Sequence, residues 1–307
     1  MDPWIEAMRR GDFAAAWRIS DRVLNERVRS GVVCYDWPRH LQFVWRGSPL
    51  QGKRLFVRCY HGMGDTLQFV RLLALPRSRA AEITLWAQPK LLKVLQTVRG
   101  IDRLLPLHEG EPDIEFDVDL ELMELPHALR IDLADLPGPM PYIYVPAPAP
   151  ARSQIRRIGV CWSSGDWRRE RSVPAELLRP LAAVPNVRWF SLQYPPAPCP
   201  LPAASVACRD IDELAVRIRL LDLVITVDTM LAHLAGALGV PVWLLLDSDP
   251  DWRWMMNRDD TPWYPSMRLY RQRQAGAWAG VIDEVRGALQ NRATPMPYIR
   301  SNGYRAS

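Results

Sequence analysis

The chain has 307 residues, 48% of them hydrophobic and 24% charged, and a formal net charge of +5; this composition is typical of a soluble globular protein with room for two ordinary domains. The positive charge suits an anionic ligand but is too diffuse to indicate nucleic acid. We expect no signal peptide, because residues 1–10 are polar and are followed by more charge, and no window of about 18 apolar residues lacks a charge. Five cysteines, odd in number and without metal-ligand spacing, predict a reduced, cytoplasmic protein.

The first segment of the chain, residues 4–29, predicts two helices that meet at Gly11-Asp12. Three alanines followed by Trp17 resemble the small-residue packing of a tetratricopeptide hairpin. A single hairpin does not form a solenoid, because such repeats need neighbours to bury their faces. We therefore expect residues 1–30 to be either an appendage that docks a partner or a helical pair packed on the main body.

Strands alternate with helices over residues 31–145, which predicts a first domain with a parallel sheet covered by helices. Its first strand is expected at residues 54–60, followed by a Gly-rich loop and a helix with an apolar stripe. The other expected elements are strands at residues 83–87, 103–105 and 114–118 and a helix over residues 89–98.

The proline-rich segment Pro137–Arg152 predicts a boundary, because its prolines exclude a helix and favour an extended chain. The alternation then restarts, so residues 146–307 are predicted to be a second doubly wound domain. Its expected strands are at residues 157–162, 187–192, 206–208, 223–227 and 242–246, and its expected helices are at residue 174 onwards, 212–221, 230–238 and 278–289.

The strongest chemical signal is in Leu223–Leu246, which predicts a strand, a helix and a second parallel strand, with Gly239 just past the helix. Asp228 follows the first of these strands, at the position where open α/β sheets bind ligands. The backbone N–H groups that begin the helix, at Thr229 and Met230, favour a phosphate there. His233 follows within one turn and is expected to help.

Gly62-Met63-Gly64-Asp65 has the same position in the first domain as Asp228 has in the second. Glycines allow the backbone to approach a ligand, and a carboxylate at this turn faces it. Asp65 can equally serve only as a helix cap, which is an ordinary role for aspartate. The absence of a third glycine excludes a dinucleotide-binding fingerprint.

The loop that follows residues 157–162 carries Ser163, Ser164 and three arginines, including Arg168 and Arg169. Guanidinium groups bind phosphate oxygens bidentately, so this loop predicts a diphosphate site, with a solvated basic loop as the alternative. Asp247-Ser248-Asp249 resembles a metal-binding triplet, but arginines and a helix N-terminus already supply positive charge. We therefore expect no metal.

Four segments together resemble the ADP-heptose–lipopolysaccharide heptosyltransferase family, most closely the branch whose transferase domain follows tetratricopeptide repeats. The resemblance covers about residues 52–289, and it implies the GT-B architecture: two Rossmann-like domains with a cleft between them. It also implies metal-independent transfer with inversion at the anomeric carbon. The segments are GMGDTLQFVRL (62–72), VCWSSGDWRRERSVP (160–174), VDTMLAHLAGALGVPVW (227–243) and DPDWRWMMNRDDTPWYPSMRLYRQ (249–272).

By this resemblance Asp65 is the catalytic base and Asp228 contacts the donor sugar, while a set of neighbouring residues binds the donor diphosphate and another shapes the acceptor loop. The sequence differs from the family in two places. Arginines replace a lysine after Trp162, and Leu246–Asp249 replaces a Gly-Pro-Thr-Asp type stretch, so the sugar and the nucleotide are left open. The donor set is Ser163, Ser164, Arg168, Arg169, Thr229, Met230 and His233, and the acceptor set is His61, Gly62, Gly64 and Gln68.

The sequence therefore predicts an inverting glycosyltransferase that moves heptose or a related sugar from a nucleotide-diphosphate sugar to a hydroxyl of a glycan or protein. No cofactor or metal is expected besides the nucleotide-sugar co-substrate, and no nucleic-acid partner. Peripheral membrane association and docking of a protein through residues 1–30 are left open. The alternatives are a non-catalytic nucleotide-sugar binder or scaffold, and a sugar-nucleotide epimerase of similar fold.

Overall fold

The computed structural model describes residues 2–30, 45, 48–77, 80–107, 110, 112–136, 138–148, 153–165, 168–206 and 208–291. The chain divides into two compact units. The first unit is Met1–Gly138 together with Trp252–Met256, and the second is Pro139–Asp251 together with Asn257–Ser307. Within the described ranges, no helix has the length and apolar character needed to cross a membrane.

The first unit begins with two packed helices, α1 (Pro3–Arg9) and α2 (Phe13–Arg29), at the positions where the sequence predicts a helical pair. Gly11, between them, has a φ of +75°, a conformation that glycine adopts without strain. Asp12 caps α2, because its Oδ1 accepts a hydrogen bond of 2.9 Å from the N–H of Ala15.

The helical pair packs on the rest of the first unit. The indole Nε1 of Trp17 donates to the carbonyl of Ile131 at 2.9 Å, and both residues are buried. Asp21 pairs with Arg130 at 2.7 Å. These contacts are those of a helical pair packed on the main body. Docking of a partner through α1 and α2 stays a prediction.

The sheet of the first unit has four parallel strands in the order β3-β2-β1-β4. The strands are β1 (Arg54–Arg58), β2 (Glu82–Ala87), β3 (Arg103–Pro106) and β4 (Val118–Glu121). The helices of this part are α3 (Met63–Phe69), α4 (Ala74–Arg77), α5 (Leu92–Leu95) and α6 (Leu125–Ala128), and 3₁₀ turns span Val70–Leu73, Pro89–Leu91, Leu122–Glu124 and Leu133–Asp135.

The strand predicted at residues 114–118 is wrong, because β4 begins only at Val118. Within β4, Asp119 forms a buried ion pair with Arg58 of β1 at 2.7 Å. This pair lets a charged residue occupy the interior of a strand, whereas the more apolar residues before it include Phe116, which is exposed. The prediction, which relied on hydrophobicity alone, therefore placed this strand too early in the chain.

The sheet of the second unit has six parallel strands in the order β10-β9-β8-β5-β6-β7. They are β5 (Arg156–Cys161), β6 (Val187–Ser191), β7 (Ala203–Ser205), β8 (Leu223–Val227), β9 (Val242–Leu246) and β10 (Met267–Arg271). The helices are α7 (Ile211–Arg219), α8 (Met230–Ala237) and α9 (Trp278–Gln290), and 3₁₀ turns span Arg169–Arg171 and Ala175–Ala183.

The central β8-α8-β9 unit has the predicted bounds to within one residue, and every residue of β8 and β9 is buried. Such continuous apolar runs are typical of parallel strands covered on both faces. Gly239 follows α8 with a φ of +71°, as the C′ position requires. Two peripheral strands differ from the prediction: β7 lies before residues 206–208, and β10 was not predicted.

The segment Gly138–Pro148, the described part of the expected proline-rich boundary, includes residues that pack on the second unit. The N–H groups of Tyr142 and Ile143 both donate to the carbonyl of Ala237, at the end of α8. Pro137 and residues 149–152 lie outside the described residues. The boundary between the two units falls at Gly138–Pro139.

Helix α8 is held to the second unit through Gly236. A Cβ added there would lie 2.4 Å from Cδ1 of Tyr264, whose ring is fully buried. Tyr264 also bonds to the imidazole of His233 through its hydroxyl, at 2.9 Å. The aromatic ring of Tyr264 therefore occupies the space that any side chain larger than glycine would need at position 236.

We expect Gly236→Ala to lower the free energy of unfolding by about 1–3 kcal/mol, because the buried ring of Tyr264 has to shift. Gly287→Ala is the matched control: it lies in α9 with no atom within 4 Å of an added Cβ. That change should raise stability by about 0.5–1 kcal/mol through helix propensity. Chemical denaturation of both variants checks this, and equal stability of the two would contradict the packing of Tyr264.

Candidate functional site

In both sheets the strand order reverses beside the first strand. In the first unit β2 and β3 lie on one side of β1 and β4 lies on the other; in the second unit β6 and β7 lie on one side of β5 and β8–β10 on the other. Open parallel sheets bind ligands at the carboxyl ends of the strands at such a reversal. The loops after β1, β4, β5 and β8 are therefore the candidate ligand sites.

Asp65 lies in the loop-helix junction after β1, and N–H donors contact both of its carboxylate oxygens. Oδ2 accepts from the N–H of Gly62 at 3.0 Å, so the side chain caps α3. Oδ1 lies 2.8 Å from Nη1 of Arg253, in a side-chain pair that is 22% and 10% exposed. Asp65 thus has the capping role considered above, and it also has a cationic partner that the sequence did not reveal.

Gln88, which was not predicted as a site residue, fastens the loop that precedes Asp65. Its Nε2 donates to the carbonyl of His61 at 2.7 Å and to that of Cys59 at 3.1 Å. Its Oε1 accepts from the hydroxyl of Thr66 in α3 at 3.0 Å. One amide therefore joins the end of β1, the loop and the helix.

Glu121, the last residue of β4, lies across the strand reversal from this loop. Its carboxylate is 2% exposed, and its Oε2 accepts from the N–H of Met123 at 2.6 Å and lies 3.7 Å from Nε2 of His61. Burial, together with the charges of Glu124 and Asp65, raises the pKa of Glu121 to about 8, against the opposing effect of hydrogen bonds from Met123 and Tyr60. Near neutral pH this buried side chain therefore retains a proton.

The remaining residues of the predicted acceptor set differ in exposure. His61 and Gly62 are exposed, and Gly64 is half-buried in the first turn of α3. Gln68 is fully buried, and neither its Oε1 nor its Nε2 has a hydrogen-bond partner among the described residues. Gln68 is therefore not a surface residue, although its loop neighbours are.

In the second unit, Asp228 follows β8 as predicted and is 6% exposed. Its Oδ2 lies 3.4 Å from Nη1 of Arg171, whose Nη2 lies 3.9 Å from Oδ2 of Asp251. Arg171 ends the 3₁₀ turn that follows β5, so the two loops of this reversal contact each other directly. Arg171 was not among the predicted site residues, although it lies in the predicted basic loop.

The other two arginines of this loop have different environments. Arg168 lies 3.4 Å from Oδ2 of Asp247 and donates to the carbonyl of Asp249 at 3.0 Å. Burial raises the pKa of Asp247 above its ordinary value, and the charges of Arg168 and Arg171 oppose this shift. Arg169 is exposed. Arg168 and Arg171 thus both have carboxylate partners that are buried or half-buried.

Ser163 and Ser164 stabilise the shape of the loop after β5. The N–H of Ser163 donates to Oε1 of Gln193 at 2.9 Å, and Oγ of Ser164 donates to the carbonyl of Arg168 at 3.0 Å. Oγ of Ser172 accepts from the N–H of Ser164 at 3.1 Å. Gln193, buried after β6, was not predicted and has the same anchoring role as Gln88 in the first unit.

At the start of α8, Thr229 is the N-cap and its Oγ1 accepts from the N–H of Leu231 at 3.3 Å. Thr229 and Met230 are half-buried, which leaves them accessible beside Asp228. His233 is only 1% exposed, and its Nδ1 is bonded to Tyr264. Of the three predicted phosphate-binding positions on this helix, Thr229 and Met230 are at the surface and His233 is in the interior.

Within the part of the chain that the structure describes, no group of three or more His, Cys, Asp or Glu side chains is arranged to hold a metal ion. The acidic residues Asp247 and Asp251 instead lie beside arginines. The four cysteines in these ranges are free thiols: Cys59, Cys161, Cys199 and Cys208.

Comparison with solved structures identifies glycosyltransferases. Heptosyltransferase TibC of enterotoxigenic E. coli, in complex with ADP-D-β-D-heptose, superposes with a TM-score of 0.54 at 12% identity, over 78% of each chain. ADP-heptose lipopolysaccharide heptosyltransferase II of E. coli gives a TM-score of 0.53 at 14% identity, over 77% of this chain and 98% of that one. A glycosyltransferase family 9 protein of Veillonella parvula gives 0.51 at 13%, over 74% and 88%.

The chain has the fold of these glycosyltransferases. The resemblance to heptosyltransferases that the sequence motifs predicted is therefore confirmed at the level of the fold. No protein-family model matches the chain. Protein FlbA of Caulobacter vibrioides is 25% identical in an alignment of 289 residues that covers 81% of this chain and 48% of FlbA, so the chain spans about half the length of that curated relative.

The buried carboxyl of Glu121 predicts a pH dependence of stability. The unfolded chain releases this proton near the ordinary value of 4.5, whereas the folded protein keeps it until pH about 8. Between these pH values the unfolded state binds fewer protons than the folded state, so rising pH lowers the free energy of unfolding. At about 1.4 kcal/mol per pKa unit, the total loss is several kcal/mol.

Glu121→Gln removes this proton but keeps an oxygen that accepts from Met123. The difference in free energy of unfolding between the natural protein and this variant should therefore fall from pH 5 to pH 8 and level off above it. Denaturation at a series of pH values measures it. Parallel pH curves for the two proteins would contradict the raised pKa.

Proposed function

We propose that the protein is an inverting, metal-independent glycosyltransferase that moves heptose or a related sugar from a nucleotide-diphosphate sugar to a hydroxyl of a glycan or protein. The observation that carries the proposal is the placement of Asp65 and Asp228 at the strand reversals of two parallel sheets. Two such sheets, each with an aspartate where its ligand site is expected, match the GT-B plan of one acceptor domain and one donor domain.

In the proposed reaction, Asp65 removes the proton from the acceptor hydroxyl. The hydroxyl oxygen then forms a bond to the anomeric carbon from the face opposite the nucleotide. The bond between that carbon and the phosphate oxygen breaks, and its electron pair leaves with the nucleoside diphosphate. Proton removal by a positioned base is worth about 10²–10⁴-fold in rate.

The second unit supplies the donor site in this proposal. Thr229 and Met230 offer the first turn of α8 to the diphosphate, and Arg171 and Arg168 stabilise the charge that develops on it. Arg171 takes the place of Arg169 in this proposal, because its Nη1 lies 3.4 Å from the Asp228 carboxylate. A diphosphate that binds here would share these arginines with Asp228, Asp247 and Asp251.

Two comparisons support the choice of donor. The TibC structure contains ADP-D-β-D-heptose, and heptosyltransferase II is named for ADP-heptose. TibC is also described as iron-containing, so metal independence of the present protein is a separate claim. It rests on the arginines and the helix N-terminus, which provide positive charge beside Asp228 without an ion.

The first test of the function is transfer from ADP-heptose, with radiolabelled sugar, to deep-rough lipopolysaccharide, to hydroxyl-bearing peptides and to water, in the presence of excess EDTA. Transfer to lipopolysaccharide or peptide supports the proposal. An epimerase would convert the sugar nucleotide without acceptor, and a binder would release no ADP. Recovery of turnover only after Mg²⁺ or Mn²⁺ is added would contradict metal independence.

We expect Asp65→Asn to lower turnover by about two to four orders of magnitude with little change in the dissociation constant of ADP. Asparagine can still accept from the N–H of Gly62, so the cap of α3 and the fold are retained. Asp228→Asn is the control, since loss of a donor contact should weaken donor binding as well. Turnover above about a tenth of the natural value in Asp65→Asn would exclude a base role.

The three arginines of the loop after β5 should differ in their effect on nucleotide binding. Arg171→Gln should weaken ADP binding most, by about tenfold or more, Arg168→Gln less, and Arg169→Gln least. The reason is exposure: water screens the charge of Arg169 more than that of the half-buried pair. Calorimetry with ADP measures all three, and unchanged affinity in Arg171→Gln would place the diphosphate elsewhere.

A further inference from the structure

The short segment Trp252–Met256 belongs to the first unit, although the chain before and after it belongs to the second. The ring of Trp252 contacts two aromatic rings of the first unit: its centroid is 5.4 Å from that of Trp4 in α1 and 6.3 Å from that of Phe69 in α3. The N–H of Met256 donates to the carbonyl of Arg9 at 3.0 Å. The segment is thus fixed at both of its ends.

Arg253 points from this segment to Asp65. The residue is 8% exposed, and its Cζ lies 5.5 Å from the ring of Trp252 and 5.9 Å from the ring of Phe69. These rings restrict the guanidinium, whose Nη1 is 2.8 Å from Oδ1 of Asp65. Such a restricted, poorly hydrated donor forms a stronger bond to a carboxylate than an exposed arginine does.

Together, Arg253 and Gly62 fix the orientation of the Asp65 carboxylate. Arg253 contacts Oδ1 and the N–H of Gly62 contacts Oδ2, so rotation about the bond to the carboxylate would break both interactions. A carboxylate offers about four lone-pair directions, and these two donors occupy one on each oxygen. The Asp65 side chain is 22% exposed, so part of it stays in contact with solvent, from which an acceptor hydroxyl would approach.

We propose that Arg253 is a positioning residue for the catalytic base: it holds the Asp65 carboxylate in the orientation that accepts the acceptor proton. The proposal rests on the proposed function, because it assigns Arg253 a role only through Asp65. It also assigns a structural role to α1, because Trp4 and Arg9 of this region contact the segment that carries Arg253. A displacement of about 1 Å at a reacting group can cost 10²-fold in rate, so such support is chemically significant.

The competing explanation is that the ion pair only attaches the segment to the first unit. The two explanations differ in what they predict for a variant that folds. A purely structural pair should change the free energy of unfolding and leave turnover per folded molecule unchanged. A positioning pair should lower kcat while the KM for the donor stays constant, and its effect should vanish when Asp65 is no longer a base.

The experiment measures kcat and the donor KM, with ADP-heptose and the acceptor found above, for Arg253→Gln, Arg253→Lys, Asp65→Asn and the double variant Asp65→Asn/Arg253→Gln. Arg258→Gln is the matched control: it removes an arginine from the same stretch of chain, which pairs with Asp260 at 2.6 Å rather than with Asp65. The free energy of unfolding of every variant is measured in parallel, and rates are expressed per folded molecule.

We expect Arg253→Gln to lower kcat by about 10- to 100-fold without changing the donor KM, and Arg258→Gln to leave both unchanged. Arg253→Lys keeps the charge and should recover part of the loss. This variant also tests the proposal if Arg253→Gln does not fold. In the Asp65→Asn background, Arg253→Gln should add less than about a threefold further loss, because the two residues act as one unit.

Three results would overturn the inference alone: natural kcat in Arg253→Gln, a lysine variant no better than the glutamine variant, or full additivity in the double variant. Failure of the proposed function is a different result. If Asp65→Asn keeps natural turnover, Asp65 is not the base, whatever the Arg253 variants do.

Discussion

The direction of the strands is the constraint on which the rest of the structure depends. All ten strands of the described sheets run parallel to their neighbours, so the carboxyl ends of each sheet lie along one edge. The reversal of strand order beside β1 and β5 then separates two neighbouring loops and leaves space for a ligand. Asp65 and Asp228 both lie at these reversals, and fixed amides and arginines determine how they are oriented.

Much of this fold could be predicted from the sequence where its signals are local. The β8-α8-β9 unit combines two continuous apolar runs, a capping Thr229 and a glycine at the C′ position, all of which a single stretch of chain contains. The predictions were wrong where tertiary partners override hydrophobicity. Strand β4 contains Asp119, which is tolerated only because Arg58 neutralises it in the interior.

The same distinction between local signals and tertiary partners applies to the residues of the candidate site. Asp65 and Asp228 could be found because each follows a strand and precedes a helix. The partners of these aspartates could not, since no local pattern relates Asp65 to Arg253, or β1 to the carboxyl of Glu121 on β4. The interior position of His233 was equally hidden, because it depends on Tyr264, which comes from a distant loop and fills the space beside Gly236.

The assignment of Trp252–Met256 to the first unit bears on how the chain folds as it is synthesised. A nascent chain that ends at Gly138 has β1, α3 and Asp65 but lacks Trp252 and Arg253. The first unit can therefore be completed only after the Pro139–Asp251 part of the second has been synthesised, although domains generally fold in order from the N-terminus. Until then, the indole of Trp4 lacks its edge-to-face contact with Trp252, and the Asp65 carboxylate lacks the charge of Arg253.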